Sequence, residues 1–326
     1  MKLLDVKNLK VEFTTERGKI TAVDDISFAI EKSQTLAIVG ESGCGKTVTA
    51  LSLLQLISKP GEIVSGQILY KGNDLLKMNP AARRDIRGKK IAMIFQEPMS
   101  SLNPLLTIGE QIIETILVHD AKISRKAAKA KTIDLLQQVG IPSASNRIND
   151  YPHQFSGGQR QRVMIAMAIS CEPDLLIADE PTTALDVTIQ AQVLNLLHDL
   201  QEKNHMGLIL ITHDLSLVAE SCKDVIVMYA GKIVEYANIQ DIFYNTKHPY
   251  TRGLLNSIPY FQKRGEELKT IPGFLPDLLH LPTGCRFHDR CEKRQDKCKV
   301  HEPHLVSVDK ARGYACYFPL NEITHE

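Results

Sequence analysis

Residues Leu36 to Thr47 read LAIVGESGCGKT. The apolar run Leu36–Val39 has the character of a buried strand, and Ala50–Ile57 has that of an apolar helix start. Between them, Gly40 to Thr47 fit G-x-x-x-x-G-K-[ST] at every fixed position, so the motif follows a strand and opens a helix, the setting that gives it physical meaning. Glycines let the backbone curl until several N–H groups point at one place, and the helix N-terminus adds partial positive charge. Gly40, Ser42, Gly43, Cys44 and Gly45 are therefore candidate phosphate contacts. Lys46 is the candidate cation for the β- and γ-phosphates, and Thr47 offers a hydroxyl to Mg²⁺.

Composition narrows the class. At 326 residues the chain holds one large or two modest domains, and 43% apolar residues suffice for a sizeable core. Lys and Arg (39) balance Asp and Glu (38), so there is no global electrostatic reason to expect nucleic acid or anionic lipid as a partner. No apolar run approaches the roughly 18 residues of a membrane span. Polar residues interrupt the N-terminal MKLLDVKNLKVEF, unlike a secretory signal. The chain is expected to be cytoplasmic, with any membrane role exercised through a partner. Of seven cysteines, Cys44, Cys171 and Cys222 are scattered, whereas Cys285, Cys291, Cys298 and Cys316 cluster near the end. In a cytosolic chain such a cluster points to metal more than to disulfides.

Other segments carry their own chemistry. Leu9, Val11 and Phe13 alternate with polar residues, the pattern of an amphipathic strand. Phe13 precedes the phosphate loop and either stacks on a nucleotide base or packs in the core. Arg83–Lys90 is densely charged and reads by default as a solvated surface. The apolar strand Ile91–Gln96 ends in an amide, and Gln96 is a candidate contact for metal or water beside the loop EPMSSLNP. From Ile108 to Val139 the pattern is helical, with Ser124 as an N-cap and Gly140 and Pro142 as stops, an insertion among strands that otherwise alternate with helices. Phe155-Ser156-Gly157-Gly158-Gln159 precedes the apolar helix Val163–Ser170, and Ser156 is placed to cap a helix whose first N–H groups remain open to an anion. Leu175–Ala178 is the most apolar strand and runs into Asp179-Glu180. In a phosphate-loop protein this suggests Asp179 for Mg²⁺ and Glu180 to orient or deprotonate the attacking water, although an acidic pair alone is more often a helix cap. Leu208–Thr212 ends in His213, at the strand terminus where α/β sheets place ligand contacts.

Together these pieces resemble the ATP-binding subunits of ABC transporters over residues 1 to about 250. The phosphate loop is Gly40–Thr47, the Q-loop glutamine matches Gln96, and the signature LSGGQ stands as Phe155–Gln159 with Phe in place of Leu. The Walker B strand ends at Asp179 beside the catalytic glutamate Glu180. Ala184-Leu185-Asp186 matches the D-loop, and His213 the switch histidine. The resemblance implies an α/β phosphate-loop NTPase core with an N-terminal antiparallel β subdomain and a helical signature subdomain at about 97–170. It implies catalytic roles for Glu180, His213 and Gln96, Mg²⁺ at Thr47 and Gln96, and nucleotide contacts from Phe13, the phosphate loop, Gln96, Asp179, Ser156, Gly157, Gly158 and Gln159.

Residues 251–326 form a small cysteine-rich extension. His248-Pro249-Tyr250-Thr251, Leu254-Leu255, Ile258-Pro259 and PTGCRFHDRCEKRQDKC resemble the C-terminal extension of dipeptide and oligopeptide importer ATPases. Four soft ligands suit iron–sulfur or zinc, and neither C-x-x-C zinc spacing nor ferredoxin spacing is present. The resemblance implies a [4Fe–4S] cluster on Cys285, Cys291, Cys298 and Cys316, with zinc as the alternative. It further implies a head-to-tail pair with a second, non-identical ABC ATPase, two transmembrane permease subunits, an extracytoplasmic substrate-binding protein, and a place on the cytoplasmic face of the inner membrane. The function implied is ATP hydrolysis driving dipeptide or oligopeptide import. Other small solutes such as nickel chelates, or a soluble ABC ATPase without a transport role, are the alternatives. Balanced charge and the lack of long heptads between the motifs speak against nucleic-acid work.

Overall fold

The computed structural model describes residues 2–97, 101–183, 185–258, 270–309 and 311–320. Ala184 of the D-loop match, part of the loop after Gln96, and Pro259 lie outside them. By its internal contacts the chain divides into two compact units. One is Met1–Leu3, Ile30–Gln34 and Lys77–Leu210; the other is Leu4–Ala29, Thr35–Leu76 and Ile211–Glu326. The chain passes between them within the strand Gly207–Thr212.

The unit that carries the phosphate loop contains an antiparallel sheet in which Lys2–Thr15 pairs with Gly61–Tyr70. Leu9 and Val11 are fully buried, as their alternation predicts, because side chains at i and i+2 share one face of a strand. A register shift between Lys7 and Lys10 breaks the ladder, with Asn8 at φ 48° and its amide donating to Asp25. Phe13 is half-buried and stands opposite Gly61, where an added Cβ would come within 2.5 Å of its ring. In the same unit the strand Thr35–Val39 runs parallel to Asp224–Tyr229, which forms a hairpin with Lys232–Asn238. All five residues of Thr35–Val39 are buried, as expected of a strand covered on both faces. The helix after the loop is Lys46–Leu53, shorter than the apolar run to Ile57 suggests; Gln55 takes a left-handed φ of 51°, which ends it.

The start of the extension is tied to this unit by a buried carboxylate. Glu235 is 1% exposed and accepts hydrogen bonds from Thr246 Oγ1, Lys247 N and His248 N at 2.8, 2.6 and 3.0 Å. Burial pushes the His248 imidazole down to about 3, so it is neutral, and its Nδ1 accepts from Tyr250 N to cap the helix Pro249–Asn256. Further on, Phe287 packs edge-on against Tyr229 and Tyr250 at centroid distances of 5.2 and 5.3 Å. The extension therefore carries its own apolar anchor.

In the other unit, strands Ile91–Ile94 and Leu175–Asp179 are parallel neighbours. Helix Gly157–Ile169 packs on Ile91–Ile94, and helices Ile108–His119 and Arg125–Gln138 pack on that helix and on each other. Ser124 caps its helix as the sequence predicts, accepting from Ala127 N. Two local expectations need correction. The strand ends at Ile94, leaving Gln96 on the loop rather than at the last ladder position. The charged stretch Arg83–Lys90 is not simply a solvated face. It begins in the helix Pro80–Ile86, Lys89 Nζ donates to the His119 carbonyl at 3.0 Å, and the Lys90 carbonyl accepts from Asp174 and Leu175. A lysine on the last carbonyl of a helix satisfies an orphan acceptor and the helix dipole together.

Candidate functional site

The phosphate loop owes its shape to glycines with no room for a side chain. Gly40 has φ 154°, and a Cβ there would stand 2.3 Å from the Met228 carbonyl oxygen. Gly45 has φ 107° at the N-cap of the following helix, and its Cβ would stand 2.5 Å from the Ala22 oxygen. Gly43, at φ 83°, and Ser42 are exposed at the turn. Cys44 is fully buried, and burial pushes its thiol up to about 11, so at this position it behaves as a small apolar residue. Lys46 is 4% exposed and folds back onto the loop, its Nζ donating to the Gly40 and Glu41 carbonyls at 2.7 and 3.0 Å. Those two bonds hold the ammonium inside the curl. Thr47 is half-buried in the first turn. His213 follows the strand Gly207–Thr212 in this unit, before Asp214 caps the next helix.

In the other unit, Asp179 is 1% exposed at the end of its strand, and Glu180 takes φ 46° immediately after it. A left-handed non-glycine residue costs of order 1–3 kcal/mol and persists only where its surroundings hold it. Here they do: Gln96 Nε2 donates to Glu180 Oε2 at 3.0 Å, and Thr183 Oγ1 donates to the same oxygen at 2.9 Å. Gln96 and Glu180, 84 positions apart, thus meet side chain to side chain, and Thr183 joins them. No pattern in the sequence marked Thr183.

The signature segment is built as a cap. Ser156 Oγ accepts from Gln159 N and Gln159 Oε1 accepts from Ser156 N, a reciprocal pair that starts the helix at Gly157, inside the glycine pair rather than after it. Ser156 and Gly157 are exposed. Gly158 faces Ile189, whose Cγ2 would lie 2.6 Å from an added Cβ. Phe155 is buried, and the Arg147 guanidinium carbon lies 3.9 Å from its ring centroid. Arg147 also donates to Asp150, to Gln159 Oε1 and to the Gln154 carbonyl. An aromatic face at 155 gives that guanidinium a platform, which accounts for Phe where the signature pattern has Leu. Asp186 of the D-loop match caps the helix Val187–Asn204 through Ile189 N.

The four late cysteines, Cys285, Cys291, Cys298 and Cys316, all line one cavity, together with Phe287, His288 and Phe318. Burial pushes Cys285 up to about 11 and Cys316 up to about 12, and Cys291 upward as well, with the neighbouring cysteines acting in the same sense. The thiol form is thus favoured, and any metal must displace protons. Among the described residues no group of three or more His, Cys, Asp or Glu side chains is arranged to hold a metal ion. The sequence expectation of a cluster therefore finds its four residues gathered, but not set as a ligand shell. Among the described residues no helix is long and apolar enough to cross a membrane.

Comparison with known proteins matches residues 23–183 to the ABC transporter family model. Residues 234–298 match the model of the oligopeptide/dipeptide transporter C-terminal region. The chain is 47% identical over 322 residues to the dipeptide transport ATP-binding protein DppD of Escherichia coli, covering 99% of this chain and 98% of that one. It is 52% identical over 310 residues to the DppD protein of Bacillus subtilis, covering 94% and 92%. Among solved structures, the dimeric post-hydrolysis state of the ATP-binding cassette MJ0796 bound to ADP and Pi superposes with a TM-score of 0.65 at 24% identity, over 72% of this chain and 98% of that one. At that identity the likeness speaks for the fold. The two family matches fall on the motif-bearing region and on the start of the cysteine-rich extension, and the chain belongs to the ABC transporter family, among the ATP-binding subunits of its dipeptide and oligopeptide branch.

Proposed function

We propose that this chain hydrolyses ATP to power import of dipeptides and oligopeptides through a membrane complex. The observation that carries the catalytic part is Glu180, whose carboxylate is held by Gln96 and Thr183 at the end of a fully buried strand. Lys46 and the loop N–H groups bind the β- and γ-phosphates. Thr47, Asp179 and Gln96 are the residues that would hold Mg²⁺, Gln96 through its amide oxygen. Bound Mg²⁺ neutralises charge developing on the phosphoryl oxygens. Glu180 orients and deprotonates the attacking water, and His213 reads the γ-phosphate. Phe13, whose side chain is half-buried, takes the base. The dipeptide and oligopeptide reading rests on the full-length likeness to DppD proteins and on the matched extension.

The signature turn serves a partner. Ser156 and Gly157 are exposed at the start of their helix, which suits a head-to-tail pair with a second, homologous ABC ATPase. The permease subunits dock elsewhere on that unit. A groove of about 490 Å³ is lined by Ala92, Ile94, Phe95, Met164, Met167 and Ala168, next in sequence to Gln96. It is apolar and rich in methionine, a lining that accommodates an amphipathic helix. A substrate-binding protein delivers the peptide on the far side of the membrane.

The test is the complex reconstituted in proteoliposomes with its permeases and partner ATPase. Peptide-loaded binding protein should raise ATPase activity several-fold, and Phe95→Glu, at the exposed apolar residue of that groove, should reduce recovery of the complex with its permeases. ATPase activity indifferent to the binding protein, or co-purification with ribosomes in place of permeases, would refute the import reading.

In the same reading, Cys285, Cys291, Cys298 and Cys316 are the residues that would hold a [4Fe–4S] cluster. The four thiols line one cavity and supply only soft donors, which suits iron–sulfur or zinc. A tail with little apolar sequence needs such a staple. Chain purified without oxygen should absorb broadly near roughly 400 nm and carry about four irons. Cys285→Ser should lose the band and lower the melting temperature. A colourless chain with one zinc assigns the tail to zinc instead.

A further inference from the structure

Glu41 is the first variable residue of the phosphate loop, and nothing in the motif requires a carboxylate there. Its backbone is fully employed. The N–H donates to the Tyr250 hydroxyl at 2.9 Å, and the carbonyl accepts from Lys46 Nζ at 3.0 Å and from Cys44 N at 3.2 Å. Its side chain is engaged from 249 positions away: Arg290 Nη1 lies 3.0 and 2.9 Å from the two carboxylate oxygens. Arg290 is itself locked. Its side chain is 7% exposed, its Nε donates to the Pro272 carbonyl at 2.8 Å, and its guanidinium lies against Tyr229. Leu275 of the same extension covers the turn, its Cδ2 3.7 Å from where a Cβ of Gly43 would stand.

We propose that Arg290 is a positioning residue for ATP binding: through Glu41 it holds the phosphate loop in the curl that keeps Lys46 in place. This rests on the reading of Gly40–Thr47 as the ATP site. The physical reason is leverage. The loop turns on glycines at positive φ, and its exposed apex, Ser42 and Gly43, has little packing of its own. A charge-assisted contact from a buried, immobilised guanidinium restrains Glu41, whose carbonyl is one of the two that fix the lysine ammonium. Arg290 also sits in a short helical turn, His288–Arg290, directly before Cys291 and five positions after Cys285. The order of the cysteine-rich segment is thereby transmitted to the phosphate loop within one chain, which gives the extension a role in the ATPase cycle beyond stability.

The test uses the full chain and a fluorescent methylanthraniloyl-ATP with Mg²⁺, titrated at low temperature where every variant is folded, together with steady-state ATPase kinetics. Arg290→Met and Glu41→Gln should each weaken binding about tenfold and raise KM with a smaller effect on kcat, and the double variant should be no worse than either single one. Arg290→Lys should recover part of the affinity, because it keeps the charge but not the fixed guanidinium. A purely structural role would lower the melting temperature and leave the affinity of the folded protein alone. Unchanged affinity in both single variants, or fully multiplicative effects in the double, overturns the proposal while leaving the ATP site in place. Binding by wild type that survives Lys46→Met undiminished would remove the ATP-site reading, and this proposal with it.

Discussion

Glu180→Gln is expected to bind ATP as the wild type does and to turn it over about 10²–10³-fold more slowly. The substitution is nearly isosteric. A glutamine carbonyl oxygen can accept the same two hydrogen bonds, from Gln96 Nε2 and Thr183 Oγ1, that the carboxylate accepts. The left-handed backbone at 180 therefore keeps its restraints, and the melting temperature should not move. What disappears is the negative charge and the capacity to take a proton from water. Phosphate release, with nucleotide affinity on the same preparation, separates the two. Turnover within a few fold of wild type would show that another group prepares the water. The companion variant Thr183→Val removes one donor to the same oxygen and should cause a smaller loss of turnover, since Gln96 still orients the carboxylate.

Gly45→Ala is expected to cost the protein both folding stability and nucleotide binding. Gly45 lies at φ 107° and caps the helix that begins at Lys46. Its added Cβ would sit 2.5 Å from the Ala22 carbonyl oxygen, which is backbone and cannot rotate away. Strain in φ and the steric overlap together cost about 3 kcal/mol. Relief requires the loop to shift, and any shift moves Lys46, so the variant should lose nucleotide binding as well as stability. Thermal unfolding and nucleotide titration on the same sample test this. A Gly45→Ala variant that melts and binds like wild type would contradict the close approach. Gly43→Ala is the control, because there the nearest atom to an added Cβ is a side-chain carbon at 3.7 Å and the penalty is backbone strain alone.

The chemistry-bearing segments were legible before any coordinates because each is local. Gly40–Thr47 declares itself by residue type at fixed offsets between a strand and a helix. Ser156 declares a helix cap by its place before the glycine pair, and Leu175–Asp179 declares a buried strand by its unbroken apolar run. Helix ends were less legible. Ala50–Ile57 suggested a longer helix than Lys46–Leu53, because an apolar pattern does not say that Gln55 will turn left-handed. The stretch Arg83–Lys90 looked solvated because charge alone cannot reveal that Lys89 caps another helix.

Contacts across long separations were decided by tertiary structure alone. Gln96 and Glu180 have no common local signal, yet they share a hydrogen bond. Arg147 and Phe155 explain each other only once the guanidinium is seen over the ring. Four cysteines at irregular spacing indicated a shared purpose, but their convergence on one cavity required the fold. The pairing of Arg290 with Glu41 is the extreme case: a variable position of a well-known loop and an arginine in a remote tail, each ordinary alone. Sequence determines local propensity, capping and loop chemistry, because these depend on neighbours a few residues away. Which distant charges meet depends on how buried apolar surfaces bring the chain together, and that is a property of the packed molecule.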